Sequence, residues 1–415
     1  MRKCILFLPA STGATHILRS FLLGSKLQEM GYEVVVGYTQ KKKELFKGFF
    51  PLVKEVEPLY IETSDIFNYT DTTIESLIEE EIKLIEKYKP LAIVGDFRFT
   101  AKISTRIKNV PYISINDIYC VPQLLLPNIK AKLEQYYIDE IFSKGRPFSD
   151  FRSSGHLKFL YLKEMYKLQM RPFISFLPDI KIEKLETIFG LLVGELNLIN
   201  GAKEFITPDG KLPENFHFVG PLINDCFEIE NNWFTTLMIE KIDKNRPLIY
   251  VNLGGFTTAS LQKSIFEAFS NTSYQFIMTD YGVQDEEKSA EIKIPSNFFV
   301  KRFIPDISKI FKLCNLVIFH GGIGTIYASI MNEIPVLGIP FTPEQHFLVD
   351  RLAELGLGLK WNRSQETDQL REYVDKLLSC PHFKDAVIDF KKNIIQYRPK
   401  EKSAELINEF LTYKV

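Results

Sequence analysis

The feature that most limits what this chain can become is a local grammar that it begins once and then restarts: a short apolar run, a loop containing glycine, then a segment with helical spacing. Near the N-terminus, Cys4–Leu8 is the apolar run and Ala10–Thr15 the loop. His16–Met30 then carries Ile17, Phe21, Leu22 and Leu27 at intervals that place them on one face of a helix. Gly31 stops that helix, and Glu33–Tyr38 reads as the next strand. A strand over Leu91–Val94, followed by Gly95–Asp96, a helix to about Lys108 and a strand over Pro111–Ile115, repeats the unit. The second half restarts it with a strand over Pro247–Leu253, a turn at Gly254–Gly255 and a helix over Ala259–Phe269. Leu316–Phe319 then runs into His320–Gly322, and Val336–Ile339 into Pro340. Buried strands alternating with helices predict an α/β fold with two doubly wound halves. Open sheets of that kind hold ligands beyond the C-terminal ends of their strands, where Asp96 and both glycine loops fall.

Composition narrows the function classes. At roughly 150 residues per domain, 415 residues make two or three domains. The 51 basic and 52 acidic side chains leave a net charge of -1, without the basic excess of a nucleic-acid-binding protein. The run Lys41–Lys43 reads as a solvated face. Cys4, Cys120, Cys226, Cys314 and Cys380 are widely spaced with no Cys-x-x-Cys pair. That argues against zinc and against a disulfide framework, and fits a cytoplasmic location. No apolar stretch approaches the roughly 18 residues of a membrane span, so no integral membrane segment is expected. The basic start and short apolar run at the N-terminus are read as a first strand rather than a signal peptide. Pro221–Trp233 is the best linker candidate. Val121–Lys167, with Tyr136, Tyr137, Phe142, Phe148 and Phe151, is either core helices or an inserted acceptor-binding element.

The strongest chemical signal is His320-Gly321-Gly322-Ile323-Gly324-Thr325, between a buried strand and a helix. Glycines there let backbone N–H groups approach a phosphate, and the helix start adds partial positive charge. The block continues through Pro335–Pro340, Glu344-Gln345 and Arg351–Gly356. Together these segments resemble the donor-binding signature of glycosyltransferase family 1, whose members share the GT-B fold. More weakly, the resemblance extends over most of the chain. His16 stands before a helix ending in Gly31-Tyr32-Glu33-Val34, Asp96 follows a strand, Phe218–Pro221 precedes the linker, and Phe303–Asp306 is similar to a base-binding segment.

The resemblance implies two Rossmann-like domains facing a central cleft. Residues 1–222 would bind acceptor, residues 234–397 would bind the nucleotide sugar, and a C-terminal segment, 398–415, would pack back on the first domain. It implies that Phe303 stacks on a pyrimidine and that the Ile304 backbone pairs to its edge. His320, Gly322, Gly324 and Thr325 would hold the diphosphate, with Gly255 approaching from the other loop, and Glu344 and Gln345 would touch sugar hydroxyls. His16 would take the acceptor's proton and Asp96 would fix its tautomer, as in a Ser-His-Asp triad. The expected reaction is inverting transfer from a UDP- or dTDP-sugar to a hydroxyl of a small apolar or aromatic natural product. No cofactor is expected beyond that co-substrate, and no metal, because the chain has no Asp-x-Asp. Ala328 stands where the family commonly has a ribose-binding Glu, which makes a deoxyribose donor as plausible as UDP. Asp306 replaces a common Gln, and Thr15 and Arg19 replace a Gly and a Pro that often flank the first histidine. The alternatives are a lipid or cell-envelope glycosyltransferase at a membrane surface, and a non-catalytic sugar-nucleotide-binding partner protein.

Overall fold

The computed structural model describes residues 3–10, 14–39, 53, 55–59, 71–121, 124, 173, 188–206, 211–223, 239–280, 292–302, 304, 307–362 and 367–414. The chain divides into two compact units, Met1–Asn224 with Tyr397–Val415, and Asp225–Gln396.

The first unit has strands β1 (Cys4–Pro9), β2 (Glu33–Thr39), β3 (Glu55–Leu59), β4 (Ala92–Asp96), β5 (Tyr112–Asp117), β6 (Leu196–Asn200) and β7 (Phe216–Gly220). They form one parallel sheet in the order β3-β2-β1-β4-β5-β6-β7. Among the described residues its helices include α1 (Ala14–Glu29), α2 (Asp71–Tyr88) and α3 (Ala101–Lys108). Every residue of β1, β4 and β5 is buried, which is why those segments read as continuous apolar runs instead of alternating ones. Ile17, Phe21, Leu22 and Leu27 turn inward from α1, as their spacing requires. The helix starts two residues earlier than its apolar pattern suggests, so His16 lies inside the first turn.

The second unit repeats the plan with β8 (Leu248–Asn252), β9 (Gln275–Thr279), β10 (Phe298–Lys301), β11 (Leu316–Phe319), β12 (Val336–Gly338) and β13 (Gly358–Lys360). Their order is β10-β9-β8-β11-β12-β13, again parallel. Helices α4 (Ala259–Phe269), α5 (Ser308–Phe311), α6 (Ile323–Met331), α7 (Pro343–Glu354), α8 (Thr367–Ser379) and α9 (Pro381–Ile394) connect and cover the strands. Val251, Phe276, Ile318 and Leu337 meet Leu370 and Phe383 in its core. In both sheets the strand order reverses once, between β1 and β4 and between β8 and β11, and an open sheet forms its ligand crevice at such a reversal.

The last helix, α10 (Pro399–Lys414), belongs to the first unit and packs on α1, β6 and β7. The Tyr32 hydroxyl donates to Asn408 Oδ1 at 2.8 Å, and the Tyr397 hydroxyl donates to Glu204 Oε2 at 2.7 Å. Gly220, at φ 90°, lets the Tyr397 side chain lie on the backbone: a Cβ there would sit 2.4 Å from Tyr397 Cβ. Among the described residues, no helix is long and apolar enough to cross a membrane.

Candidate active site

The first cluster grows from the ends of β1 and β4. Pro9 pairs with Asp96 in the sheet register, and the Ala10 N–H donates to the Asp96 carbonyl at 2.8 Å. Asp96 is therefore the last residue of its strand rather than the residue after it. Thr100, not Asp96, stands at the N-cap of α3, so the carboxylate is not a helix cap. It meets the imidazole from the first turn of α1, with His16 Nδ1 2.7 Å from Asp96 Oδ1. A carboxylate only accepts, so the proton between the two groups sits on Nδ1. Phe97 bends back at φ 54° and stacks its ring on His16, centroids 5.3 Å apart and 12° from parallel.

Behind this pair lie charges that the sequence pattern does not announce. Arg19, one turn further along α1, is 1% exposed and Asp117, at the end of β5, is 2% exposed. Arg19 donates to Asp117 through both terminal nitrogens, at 2.9 and 3.0 Å. Arg19 Nε faces Asp96 Oδ2 at 3.5 Å, and neither atom makes a hydrogen bond. Asn200, at the end of β6, donates to Asp117 Oδ1 at 2.6 Å and accepts from the Leu222 N–H at 2.6 Å. Burial opposes both charges. Asp117 and then Asp96 outweigh it at Arg19, whose pKa is raised; Arg19 and then His16 outweigh it at Asp117, whose pKa is lowered.

The turn that carries Asp96 and Phe97 is anchored from below. Glu81 of α2 is fully buried and accepts from Arg98 Nε at 2.6 Å and from the hydroxyls of Thr100 and Ser104. A buried carboxylate with this many donors ties α2 to the start of α3 and so fixes the path between them.

In the second unit, β11 delivers His320 and the glycines to the start of α6, beside the turn that follows β8. Gly321 sits at φ 100°, and a Cβ there would press to 3.0 Å on Gln345 and Val349, so only glycine suits the position. Gly322 is the N-cap of α6 and has no side chain to cap it, while its carbonyl accepts from the Thr325 N–H at 3.1 Å. A Cβ on Gly322 would lie 2.9 Å from His320 Nε2, and one on Gly254 would lie 3.3 Å from His320 Cε1. The imidazole thus sits between the two glycine loops. His320 Nδ1 donates to the Asn252 carbonyl at 3.2 Å, and burial lowers the ring's pKa against that bond. Gly324 and Thr325 are half-buried in the first turn of α6, while Gly255 is exposed in the turn Gly254–Phe256.

Gln345 has a structural duty: its Oε1 accepts from the N–H groups of Phe341 (2.9 Å) and Thr342 (3.3 Å) and so caps α7. Glu344, half-buried in the same turn, has its pKa raised by burial. Ile304 is buried. Phe303, Asp306, Lys41–Lys43 and nearly all of Val121–Lys167 lie outside the described residues. Among the described residues, no group of three or more His, Cys, Asp or Glu side chains is arranged to hold a metal ion.

No protein-family model matches the chain. Over 409 residues it is 26% identical to the NDP-glycosyltransferase YjiC of Bacillus licheniformis, covering 95% of both chains. Its fold matches the glycotransferase of kitacinnamycin with a TM-score of 0.70 at 16% identity, over 98% of this chain and 99% of that one. Glycosyltransferase VinC, solved with dTDP, matches with a TM-score of 0.62 at 15% identity over 100% of each chain. The chain is a glycosyltransferase with the GT-B fold of two parallel-sheet α/β units.

In this glycosyltransferase the structure joins His16 to Asp96 within the first unit, and His320 to both glycine loops within the second. Sequence reasoning missed Asp117, Asn200 and Glu81. The available signal was a charged residue on the apolar face of α1: Arg19 sits between Ile17 and Phe21, and a guanidinium there requires a buried carboxylate partner.

Proposed function

We propose that this glycosyltransferase, which acts on nucleoside-diphosphate sugars, moves the sugar of a UDP- or dTDP-sugar to a hydroxyl of a small apolar or aromatic acceptor, with inversion at the anomeric carbon. The observation that carries this reading is the 2.7 Å contact between His16 and Asp96 at the strand-order reversal of the first sheet. In the proposed step, the acceptor O–H gives its proton to His16 Nε2 while its oxygen attacks the anomeric carbon, and the bond from that carbon to the diphosphate breaks. Asp96 stabilises the imidazolium that forms, and Phe97 holds the ring in plane.

The first unit would bind acceptor and the second donor. First-turn N–H groups of α6, with Gly324 and Thr325, and His320 would meet the diphosphate, whose negative charge grows as the bond breaks. Phe303 and Ile304 would contact the base, and Glu344 and the Gln345 amide the sugar. An N–H cradle supplies the stabilisation that a metal would otherwise give, so turnover should survive EDTA. VinC's dTDP, together with Ala328 at a position where a ribose-binding Glu is common, supports dTDP alongside UDP.

The test is release of nucleoside diphosphate from UDP-glucose and dTDP-glucose over a panel of phenolic and aliphatic alcohols. His16→Ala should lower kcat by about 10²- to 10⁴-fold, the usual reach of a general base. Undiminished turnover would remove His16 from the reaction. Thermal-shift measurements with UDP, dTDP and GDP decide the nucleotide, and stabilisation by GDP alone would contradict the pyrimidine assignment.

A further inference from the structure

Resting on the reading of His16 as the base, we infer that Arg19 is a positioning residue for the transfer reaction: its buried guanidinium clamps Asp96 and sets the charge state of the His16–Asp96 pair. Asp117 takes both terminal nitrogens of Arg19, in the fork geometry that fixes the plane of the group. The Nε edge is thereby turned toward Asp96 Oδ2, 3.5 Å away, while Asp96 Oδ1 receives the His16 Nδ1 proton at 2.7 Å. Each oxygen of the catalytic carboxylate therefore faces a different donor group, and rotation of the carboxylate would forfeit both. Arg19 Nη2 also lies 3.5 Å from His16 Nδ1. The 2.7 Å contact with Asp96 holds the Nδ1 proton, so the guanidinium acts there as a neighbouring positive charge and not as a hydrogen-bond donor.

The guanidinium places a positive charge beside Nδ1 and opposes a second proton on the ring, so Arg19 offsets the two carboxylates that would favour one. Among the described residues, the charged groups around His16 are Arg19 from its own helix, Asp96 from β4, and Asp117 from the end of β5. The Tyr119 hydroxyl donates to Asp117 at 3.2 Å. The Phe97 ring, which carries no charge, covers one face of the imidazole. Asp117 is held in turn by Asn200, so the guanidinium has a fixed support rather than a mobile counter-ion. Position 19 is one at which this chain departs from the pattern it resembles, where proline often stands.

The chain has six histidines, few enough for the ring C–H signals of histidine-labelled full-length protein to be resolved by NMR. His16 is assigned by comparison with His16→Gln and titrated without any acceptor. Asp117→Asn leaves the guanidinium opposed by Asp96 alone and should lower the midpoint of the His16 titration. Adding Arg19→Met to Asp117→Asn removes both members of the buried pair together, leaves no orphaned charge, and should raise the midpoint again by about one pH unit. Arg19→Lys keeps the charge and should stay near the wild-type midpoint. Coincident midpoints in the wild-type, Asp117→Asn and double-variant proteins would overturn the inference. So would a shift in Arg19→Lys as large as that between Asp117→Asn and the double variant. The His16→Ala turnover assay reports on the base and the titration on Arg19, so the two readings fail separately.

Discussion

At the β1/β4 reversal of the first sheet, the imidazole of His16 is packed against Asp96, Arg19 and Asp117. At the β8/β11 reversal of the second, the same topological position is filled by Gly254, Gly321 and Gly322 around a desolvated His320. One backbone plan thus serves two tasks. In the proposed reaction the first site accepts a proton, and there the chain buries charges in pairs and holds them with strand ends. The second would meet a ligand that brings the charge, and there the backbone is stripped of side chains. On that proposal, loss of the first site is read in kcat and loss of the second in donor affinity.

The sharpest way to break that contrast is Asp96→Asn. An asparagine amide can donate to Nδ1 and so select the tautomer whose Nε2 carries the proton, which removes the base without removing the ring. A fall in kcat of about 10²- to 10⁴-fold is expected, with the Kd for UDP-glucose or dTDP-glucose within about twofold of wild type. A comparable loss of donor affinity would mean that the first site does not act on the proton alone. Gly322→Ala is the converse. Its backbone, φ -67° and ψ 132°, suits alanine, but the new Cβ would meet His320 Nε2 at 2.9 Å. The ring must move off its bond to Asn252, and the N–H cradle is partly covered. Donor affinity should fall about 10- to 100-fold, or about 1.4–2.8 kcal/mol, measured by calorimetry.

A smaller effect tests the charge of the second site. Burial holds the free His320 pKa below the ordinary histidine value of about 6.5. A bound diphosphate favours the imidazolium and raises the pKa in the complex, so a proton is taken up on binding. Affinity must then rise as pH falls through the bound-state pKa, and level off below the free-state one, by at most about tenfold per pH unit. UDP-glucose and dTDP-glucose are the right probes, because their diphosphate is a diester with no ionisation of its own near neutrality. His320→Gln should flatten the profile. An unchanged slope in that variant would move the proton uptake to another group.

Much of this was legible in the sequence, for identifiable reasons. The runs Cys4–Leu8 and Leu248–Val251 lie in strands buried on both faces, so their periodicity and their burial give the same reading. The roles expected of His16 and Asp96 came from the family resemblance, and the structure adds that the two side chains meet at 2.7 Å. The edge strand β3, Glu-Val-Glu-Pro-Leu, was not: proline and two charges suit an unpaired edge and hide the pattern. Nor could residue order join Arg19 to Asp117 and Asn200, which lie 98 and 181 positions further along and meet only because β5 and β6 are neighbours. Gln345 shows a different limit. A capping residue and a ligand-binding residue look alike in a sequence, and only the bonds from Phe341 and Thr342 reveal that its oxygen is already engaged.

The smallest effect asks how local the first site is. Tyr32→Phe removes the hydroxyl that donates to Asn408 across the contact between the end of α1 and α10. The loss should be about 1 kcal/mol of unfolding free energy, the usual worth of one partly buried hydrogen bond, read from the denaturant midpoint at unchanged slope. Turnover should stay within about twofold, because some four turns of helix, about 20 Å, separate this contact from His16. The charges around His16 hold it from β4 and β5, not from the far end of its own helix. A large fall in kcat in this variant would show instead that α10, by seating α1, sets the geometry of the His16–Asp96 pair.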